Sequence, residues 1–111
     1  MAGAKRDPGW GAVLVVGLGG IWVEALGDVQ ALPANADAAQ VVEALRKLRS
    51  AKLLAGLRGV LPADLEAVAQ VVMAIGRLMQ TVPELTEIDV NPLMVHAKGH
   101  GVTALDALIV V

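Results

Sequence analysis

Three oxygen-bearing side chains occur at alternate positions late in the chain, at Glu87, Asp89 and Asn91. The positions between them, Ile88 and Val90, are apolar. This alternation predicts a strand with the polar side chains on one face and the apolar ones on the other. Three convergent oxygen ligands on a rigid element suit a hard cation such as Mg²⁺. By itself, however, the pattern favours a simpler interpretation, because the polar face of an antiparallel strand is commonly just solvated.

A glycine-rich segment at residues 17–20 follows the apolar run 12–16. Its backbone N–H groups are suited to binding phosphate. The segment matches neither standard nucleotide motif, because no Gly-Lys-Ser/Thr sequence ends it and Trp22 replaces a required glycine. A purely steric turn explains the glycines equally well. Glu24 falls on the strand predicted at residues 21–26, where its carboxylate needs a partner, a polar cleft or, more simply, an exposed edge position.

The remaining candidates carry less information. His96 and His100 flank a hydrophilic turn and are predicted to be exposed turn residues, not ligands or catalysts. Arg58 is suited either to contacting a phosphate or to capping the preceding helix, and the sequence leaves both interpretations open. No Ser-His-Asp arrangement or HExxH motif is present. The residue types therefore indicate one candidate Mg²⁺/phosphate site, made by the glycine segment and three side chains: Asp89, Asn91 and Asp106.

The composition excludes several classes of protein. The 111 residues are 56% hydrophobic, carry a formal net charge of −2 without charged blocks and include no cysteine. Disulfides, zinc–thiolate sites and a nucleic-acid-binding surface are therefore not expected, and a reducing cytoplasm is the natural location. The most apolar run, residues 8–23, is shorter than the roughly 20 residues that span a bilayer and is interrupted by glycines. We therefore expect no membrane segment.

Hydrophobic periodicity predicts strands at both ends of the chain and helices between them. The predicted strands are residues 12–16, 21–26, 29–32, 86–95 and 102–110. Residues 1–6 carry little pattern and are predicted to be irregular. Asp37 is a good N-cap for the first helix, and the longest helix begins at residues 62–64 and ends before Pro83. The result is a single α+β domain over residues 1–111, a mixed or antiparallel sheet of about five strands packed on two main helices.

Five short motifs occur in a fixed order along the chain. They are Asp-Pro-Gly-Trp-Gly at 7–11, Gly-Leu-Gly-Gly-Ile-Trp-Val-Glu at 17–24, Leu-Leu-Ala-Gly-Leu-Arg-Gly at 53–59, Glu-Ile-Asp-Val-Asn-Pro-Leu at 87–93 and Leu-Asp-Ala at 105–107. Together they resemble the C-terminal part of the ATP-grasp domain of nucleoside-diphosphate-forming acyl-CoA synthetases, of the acetate–CoA ligase type. The succinyl-CoA synthetase β subunit is a more distant relative. The resemblance covers nearly the whole chain.

The resemblance implies one lobe of a two-lobed ATP-grasp fold. It implies that acyl-CoA, ADP (or GDP) and phosphate are interconverted with acid, CoA and ATP through a phosphohistidine on another domain or subunit. Mg²⁺ and ATP/ADP are the expected cofactors. The expected partners are the absent N-terminal lobe, the absent CoA-binding and phosphohistidine domains, and acyl-CoA. Alone, the lobe is expected to be inactive. The acyl substrate is not encoded in these motifs.

Roles for individual residues also follow from the resemblance. Asn91 and Asp106 would hold Mg²⁺ from adjacent antiparallel strands. Asp89 would assist at the phosphohistidine, although it is one methylene shorter than the Glu of the succinyl-CoA synthetase relatives. Leu108 stands where many relatives carry Arg or Lys, so the phosphate or ligand-orienting contact of those relatives is not expected from this position. The expected phosphate- and nucleotide-binding residues are Gly17, Gly19, Gly20 and Glu24.

Two alternatives remain open at this point. In one, the chain is a non-catalytic interaction module that pairs with a partner lobe or self-associates through exposed apolar surface. In the other, it is a stand-alone nucleotide-phosphate binder that uses the glycine segment.

Overall fold

The computed structural model describes residues 1–17, 28–48 and 62–111. Within these ranges the chain forms seven strands and two helices. They are β1 (Ala2–Asp7), β2 (Gly11–Gly17), β3 (Val29–Pro33), α1 (Ala38–Arg46), α2 (Leu65–Thr81), β4 (Glu87–Val90), β5 (Leu93–Val95), β6 (Val102–Ala104) and β7 (Ala107–Val110). The strand predicted at residues 21–26 and the motif at 53–59 lie outside the described residues.

Five strands form one sheet in the order β3-β2-β1-β4-β7, and every pair of neighbouring strands in it is antiparallel. The strands β5 and β6 form a separate antiparallel pair. Both helices pack against one face of the larger sheet, since their apolar side chains and alternate strand residues share one core. The largest fully buried side chains in that core are Leu14, Val16, Val41, Val72 and Met79. This arrangement confirms the α+β prediction.

The prediction for residues 1–6 was wrong, because β1 is the central strand of the sheet. Its sequence lacks the β-branched and aromatic residues that usually mark a strand. Small side chains are needed here instead, since Ala2 and Ala4 are 0% and 4% exposed beneath the helices. Tertiary packing therefore decides the structure of a segment whose local propensity is weak.

The Asp-Pro-Gly-Trp-Gly motif at residues 7–11 forms the connection between β1 and β2. The Oδ1 atom of Asp7 accepts hydrogen bonds from the N–H groups of Gly9 (2.7 Å) and Trp10 (3.0 Å). Gly11 has a φ of 77°, a conformation that side-chain-bearing residues rarely adopt. The turn holds the Trp10 side chain 87% exposed.

The two long strands predicted near the C-terminus are each divided in two. The first breaks between β4 and β5 at Asn91 and Pro92, whose peptide bond is cis, and the second breaks between β6 and β7 at Leu105 and Asp106. The breaks face each other, because Asn91 N–H donates to the carbonyl of Asp106 (3.1 Å) and Leu105 N–H donates to that of Pro92 (3.0 Å). Both segments thus leave the large sheet at the position where the two breaks lie opposite each other, and they form the β5–β6 pair.

The helix ends agree with the predictions. Asp37 caps α1 in a reciprocal arrangement: its Oδ1 accepts from the Gln40 N–H (2.8 Å), while its own N–H donates to Oε1 of Gln40 (2.9 Å). Asp64 caps α2, which ends at Thr81 before Pro83. Within the described residues, neither helix is long and apolar enough to cross a membrane.

Arg6 connects the central strand to the C-terminal end of α2. Its Nε donates to the carbonyl of Leu85 (2.9 Å), and its Nη2 donates to those of Met79 (2.7 Å) and Val82 (3.4 Å). Carbonyl groups at a helix C-terminus lack partners within the helix and carry partial negative charge, so a guanidinium is a favourable cap. This contact fixes the end of α2 against β1.

Asp64 makes a second connection, between the start of α2 and the turn that joins β5 to β6. Its side chain accepts hydrogen bonds from three backbone N–H groups, those of Gly101 (2.8 Å), Ala67 (3.1 Å) and Gly99 (3.1 Å). The donated hydrogen bonds, that from Gly101 foremost, hold the pKa of Asp64 below its ordinary value. The residue is 9% exposed, so the β5–β6 turn is anchored by a buried carboxylate.

The Asp64 carboxylate is expected to make stability depend on pH. A carboxyl group whose pKa is lower in the folded state stabilises the fold above its unfolded pKa of about 3.9, and this contribution disappears as the pH falls through the folded pKa. We therefore expect Asp64→Asn to unfold at a lower temperature than the parent at pH 7, with the difference narrowing below about pH 4. Thermal unfolding followed by circular dichroism measures both. Glu66→Gln, an exposed acid in the same helical turn, is the control, and a pH-independent difference for Asp64→Asn would contradict the expectation.

Candidate functional site

The predicted alternation of residues 87–90 is confirmed. Ile88 and Val90 are 4% and 8% exposed in the core, while Glu87 and Asp89 lie half-buried on the opposite face of the sheet, away from the helices. The same outer face receives the alternate residues of the neighbouring strands. A cavity of about 180 Å³ lies there, hereafter the outer-face cavity. The side chains and backbone that line it include Met1, Gly3, Lys5, Val15, Glu87 and Asp89.

Strand register determines which of these residues face each other. Lys5 lies directly opposite Glu87, so the two opposite charges neighbour each other on the outer face. Asp89 lies opposite Gly3, which has no side chain. The Oδ1 atom of Asp89 is buried and has no hydrogen-bond partner in the described part of the chain. An unpaired buried oxygen is costly and rare, so this atom needs a donor that the described residues do not supply.

The Met1 amino group is the other charged neighbour of Asp89. Burial lowers the pKa of this amino group, and the Asp89 carboxylate acts in the opposite direction by favouring the charged ammonium. Among the described residues, the charged groups at the cavity are those of Lys5, Glu87, Asp89 and the Met1 amino group. None of the described contacts pairs Asp89 directly with a donor.

The backbones of the two predicted metal ligands lie next to each other where the sheet divides. Asn91 follows β4 and Asp106 precedes β7, so both lie just beyond the ends of adjacent antiparallel strands instead of within them. Their backbones are joined by the 3.1 Å hydrogen bond from Asn91 N–H to the Asp106 carbonyl. Both residues are exposed, and one carboxylate oxygen of Asp106 accepts from the N–H of Ala107 (2.9 Å). That hydrogen bond orients the carboxylate and leaves the second oxygen available.

The donor types at this position fit Mg²⁺. An amide oxygen and a carboxylate oxygen are hard ligands, and Mg²⁺ is usually held by one or two protein groups together with waters and phosphate oxygens. In the described ranges, no three His, Cys, Asp or Glu residues lie close enough to enclose a metal ion. A Mg²⁺ ion bound by Asn91 and Asp106 would therefore need its remaining ligands from elsewhere.

The other sequence-predicted residues are placed as follows. Gly17 ends β2, and its N–H donates to the Met1 carbonyl (3.1 Å), so this amide is used by the sheet. The proposed roles of Gly19, Gly20, Glu24 and Arg58 concern positions outside the described residues and stay predictions. Among the turn residues, His100 is exposed and His96 is half-buried.

The two histidines take no part in the outer-face cavity. The Nε2 atom of His96 lies 2.8 Å from Oγ1 of Thr103, across the β5–β6 pair. Sequence reasoning missed two cavity residues, Gly3 and Lys5. Only the register between β1 and β4, which join opposite ends of the described chain, reveals them.

The fold and the outer-face residues together define a class of protein. A family model described as ATP-grasp domain matches residues 1–111, that is, the whole sequence. The chain therefore belongs to the ATP-grasp domain family, and the family expected from the five motifs is confirmed.

Individual relatives are acyl-CoA-forming enzymes. The chain is 44% identical over 111 residues to a trans-feruloyl-CoA synthase from an unknown prokaryotic organism, covering 100% of this chain and 16% of that protein. It is 38% identical over 96 residues to the beta subunit of an ADP-forming acetate–CoA ligase I from Pyrococcus furiosus, covering 86% of this chain and 41% of that subunit. The chain thus spans less than half the length of these relatives.

A solved structure shows the same fold. The dinucleotide forming acetyl-coenzyme A synthetase 1 of Ca. Korarchaeum cryptofilum, in complex with coenzyme A and Mg-AMPPCP, matches with a TM-score of 0.91 and 33% sequence identity. The match covers 99% of this chain and 51% of that one. In that protein the phosphohistidine segment points towards the nucleotide binding site. The expected ATP-grasp lobe is therefore confirmed as the fold of this chain.

Proposed function

We propose that this chain is the Mg²⁺- and phosphate-binding lobe of an ADP-forming acyl-CoA synthetase. The complete enzyme would convert acyl-CoA, ADP and phosphate into acid, CoA and ATP through a phosphohistidine on another domain. One relative is named as a CoA synthase, and the Pyrococcus furiosus relative is named as an ADP-forming acetate–CoA ligase. Because the chain spans 16% and 41% of those two relatives, it supplies one part of the catalytic machinery and depends on the remainder for turnover.

One observation supports this function most strongly: Oδ1 of Asp89 is buried and has no partner among the described residues. It lies two residues before Asn91, which contacts Asp106 through its backbone. A desolvated carboxylate oxygen beside a pair of hard oxygen ligands suits a site where a protonated ring nitrogen and a metal-bound phosphate meet. Purely solvated polar residues would not leave an oxygen buried and unpaired.

Each residue has a defined role in the proposed site. Asn91 and Asp106 hold the metal from one side, and bound Mg²⁺ supplies neutralisation of charge on the nucleotide phosphates. Asp89 accepts a hydrogen bond from the imidazole N–H of the phosphohistidine and thereby orients its ring. The glycines Gly19 and Gly20 and the acid Glu24 would contact phosphate or nucleotide, whereas the Gly17 N–H is already used by the sheet. The last set is carried over from the family resemblance.

The proposed partners are those that the family resemblance implies. They are the other ATP-grasp lobe, the CoA-binding and phosphohistidine domains, and acyl-CoA. Exposed apolar side chains around β7 support a surface that another domain or a second copy covers: Leu105 56%, Leu108 55%, Ile109 58% and Val111 83% exposed. The cysteine-free composition supports a cytoplasmic location.

Binding of Mg²⁺ to the isolated chain tests the metal site directly. Two protein ligands give weak affinity, so we expect millimolar MgCl₂ to shift the NMR signals of the Asn91 side-chain amide and the Asp106 backbone amide. Asp106→Asn removes the charged ligand and is expected to weaken binding at least about tenfold. Adding ADP should strengthen Mg²⁺ binding in the parent chain, because phosphate oxygens complete the coordination shell.

The control for this titration is Asp7→Asn, which removes an acid in the β1–β2 turn away from the pair. It should bind Mg²⁺ as the parent does. If the Asn91 and Asp106 signals shift no more than those of unrelated surface acids at millimolar MgCl₂, the assignment of the metal to this pair is wrong. It is also wrong if Asp106→Asn binds Mg²⁺ as well as the parent does.

A further inference from the structure

Gly3 occupies an unusual position in the sheet. It is buried in the central strand, with Val15 of β2 on one side and Asp89 of β4 on the other. A Cβ atom at this position would lie 2.7 Å from the Ile88 carbonyl oxygen, closer than real Cβ atoms approach any backbone atom. It would also lie 3.5 Å from Cα and 3.6 Å from Oδ1 of Asp89. The close approach of β1 to β4 at this point therefore requires glycine.

We propose that Gly3 is a positioning residue for Asp89: its bare backbone is the surface on which the Asp89 carboxylate rests in the orientation needed at the phosphohistidine. This inference rests on the proposed function of Asp89. Gly3 itself would touch neither substrate nor metal.

The surroundings of Gly3 explain how the absence of a side chain at this position fixes the orientation of the Asp89 carboxylate. Oδ1 of Asp89 is buried, although the residue as a whole is only half-buried, because it lies against the backbone of β1. Val15 and Lys5 border the same cavity and close its sides. A carboxylate held this way needs no reorganisation when a donor arrives, which is the general benefit of a preorganised site.

An added methyl group would act at two points. It would push β4 away at Ile88, and it would fill the space beside Oδ1. Both displacements move the carboxylate relative to Asn91, two residues further along the same strand. A displaced carboxylate at the reacting group lowers the rate of the chemical step. It has less effect on the binding of a nucleotide that other residues hold.

The first experiment measures the orientation of Asp89 in the unsubstituted 111-residue chain, so it does not depend on whether a variant folds. Three-bond couplings to the Asp89 Hβ protons are expected to report a single χ1 rotamer, and NOEs are expected between those protons and the Gly3 Hα protons. Averaged couplings, or a single rotamer without the NOEs, would overturn the proposal.

The second experiment uses a hybrid ligase, in which this chain replaces the matching segment of the Pyrococcus furiosus β subunit within its complete enzyme. Gly3→Ala is expected to lower kcat for ATP formation by about 10- to 100-fold with KM for ADP within about twofold. The matched control is Gly9→Ala in the exposed β1–β2 turn, where an added Cβ would meet only Oδ1 of Asp7 at 3.4 Å, and its kcat should equal that of the parent.

A double variant separates positioning from simple packing. If Gly3 acts through Asp89, then Gly3→Ala combined with Asp89→Asn has the same kcat as Asp89→Asn alone. If Gly3 only supports the sheet, the two losses multiply, and the proposal is wrong. An Asp89→Asn enzyme with full activity would instead remove the proposed role of Asp89, while the rotamer measurement would still decide whether Gly3 orients that side chain.

Discussion

Asp89→Asn is expected to lower kcat for ATP formation in the hybrid ligase by at least about 100-fold, the usual lower range for loss of a group that assists proton and charge transfer. The amide keeps the size of the carboxylate but loses its negative charge, and the atom that replaces one oxygen is a donor. It therefore no longer stabilises a positively charged imidazole. Because Asp89 does not contact nucleotide in the proposed arrangement, KM for ADP is expected to change by less than about threefold.

Steady-state assays with acetyl-CoA, ADP and phosphate measure this effect. The acyl group is bound elsewhere in the complete enzyme, so acetyl-CoA is the appropriate substrate for the hybrid. Glu84→Gln, an exposed acid in the loop after α2, is the matched control and should retain parental kcat. A fall confined to KM, with kcat unchanged, would place Asp89 in nucleotide binding and not at the phosphohistidine.

Gly76→Ala is expected to destabilise the lobe by at least about 2 kcal/mol, although glycine-to-alanine changes inside helices usually stabilise by about 1 kcal/mol. The sign reverses because a Cβ at Gly76 would overlap the carbonyl oxygen of Ala34 in the loop between β3 and α1. It would also lie 3.4 Å from Cδ1 of Leu14 in the core. The helix α2 can therefore pack closely on this loop only with glycine at position 76.

Urea unfolding of the isolated chain measures this difference in free energy. Arg77→Ala, at the exposed neighbouring position of the same helix, should change the free energy of unfolding by less than about 0.5 kcal/mol. A neutral or stabilised Gly76→Ala variant would show that the loop at Ala34 moves aside at little cost.

Local signals in the sequence predicted the parts of the fold that depend on local physics. The alternation at Ile88 and Val90 gave the correct buried face of β4. The N-cap Asp37 and the predicted helix start at residues 62–64 located the starts of both helices. These features need only residues within one turn or one strand. The resemblance to acyl-CoA synthetases then supplied the family, which composition and periodicity alone did not indicate.

The remaining features depend on contacts between distant segments. The residues of β1 are mostly small and carry little pattern. Ala2 and Ala4 suit a strand here only because the space beneath the helices requires small side chains. The division of two long apolar stretches at Asn91 and Asp106 requires that the two breaks meet, which no single stretch encodes. The importance of Gly3 appears only when β1 and β4 are brought into register.

The central position of β1 also affects how this lobe is made. The strand β1 pairs with β2 on one side and with β4 on the other, and β4 is synthesised much later than β1. Until β4 is made, one edge of β1 is unpaired, and until α2 is made, its apolar residues are uncovered. A topology with such distant contacts folds slowly and exposes surface that is prone to association. Dividing the polypeptide between α2 and β4 would therefore leave two pieces that each lack half of the sheet's centre, whereas divisions in the exposed β1–β2 turn would separate only adjacent strands.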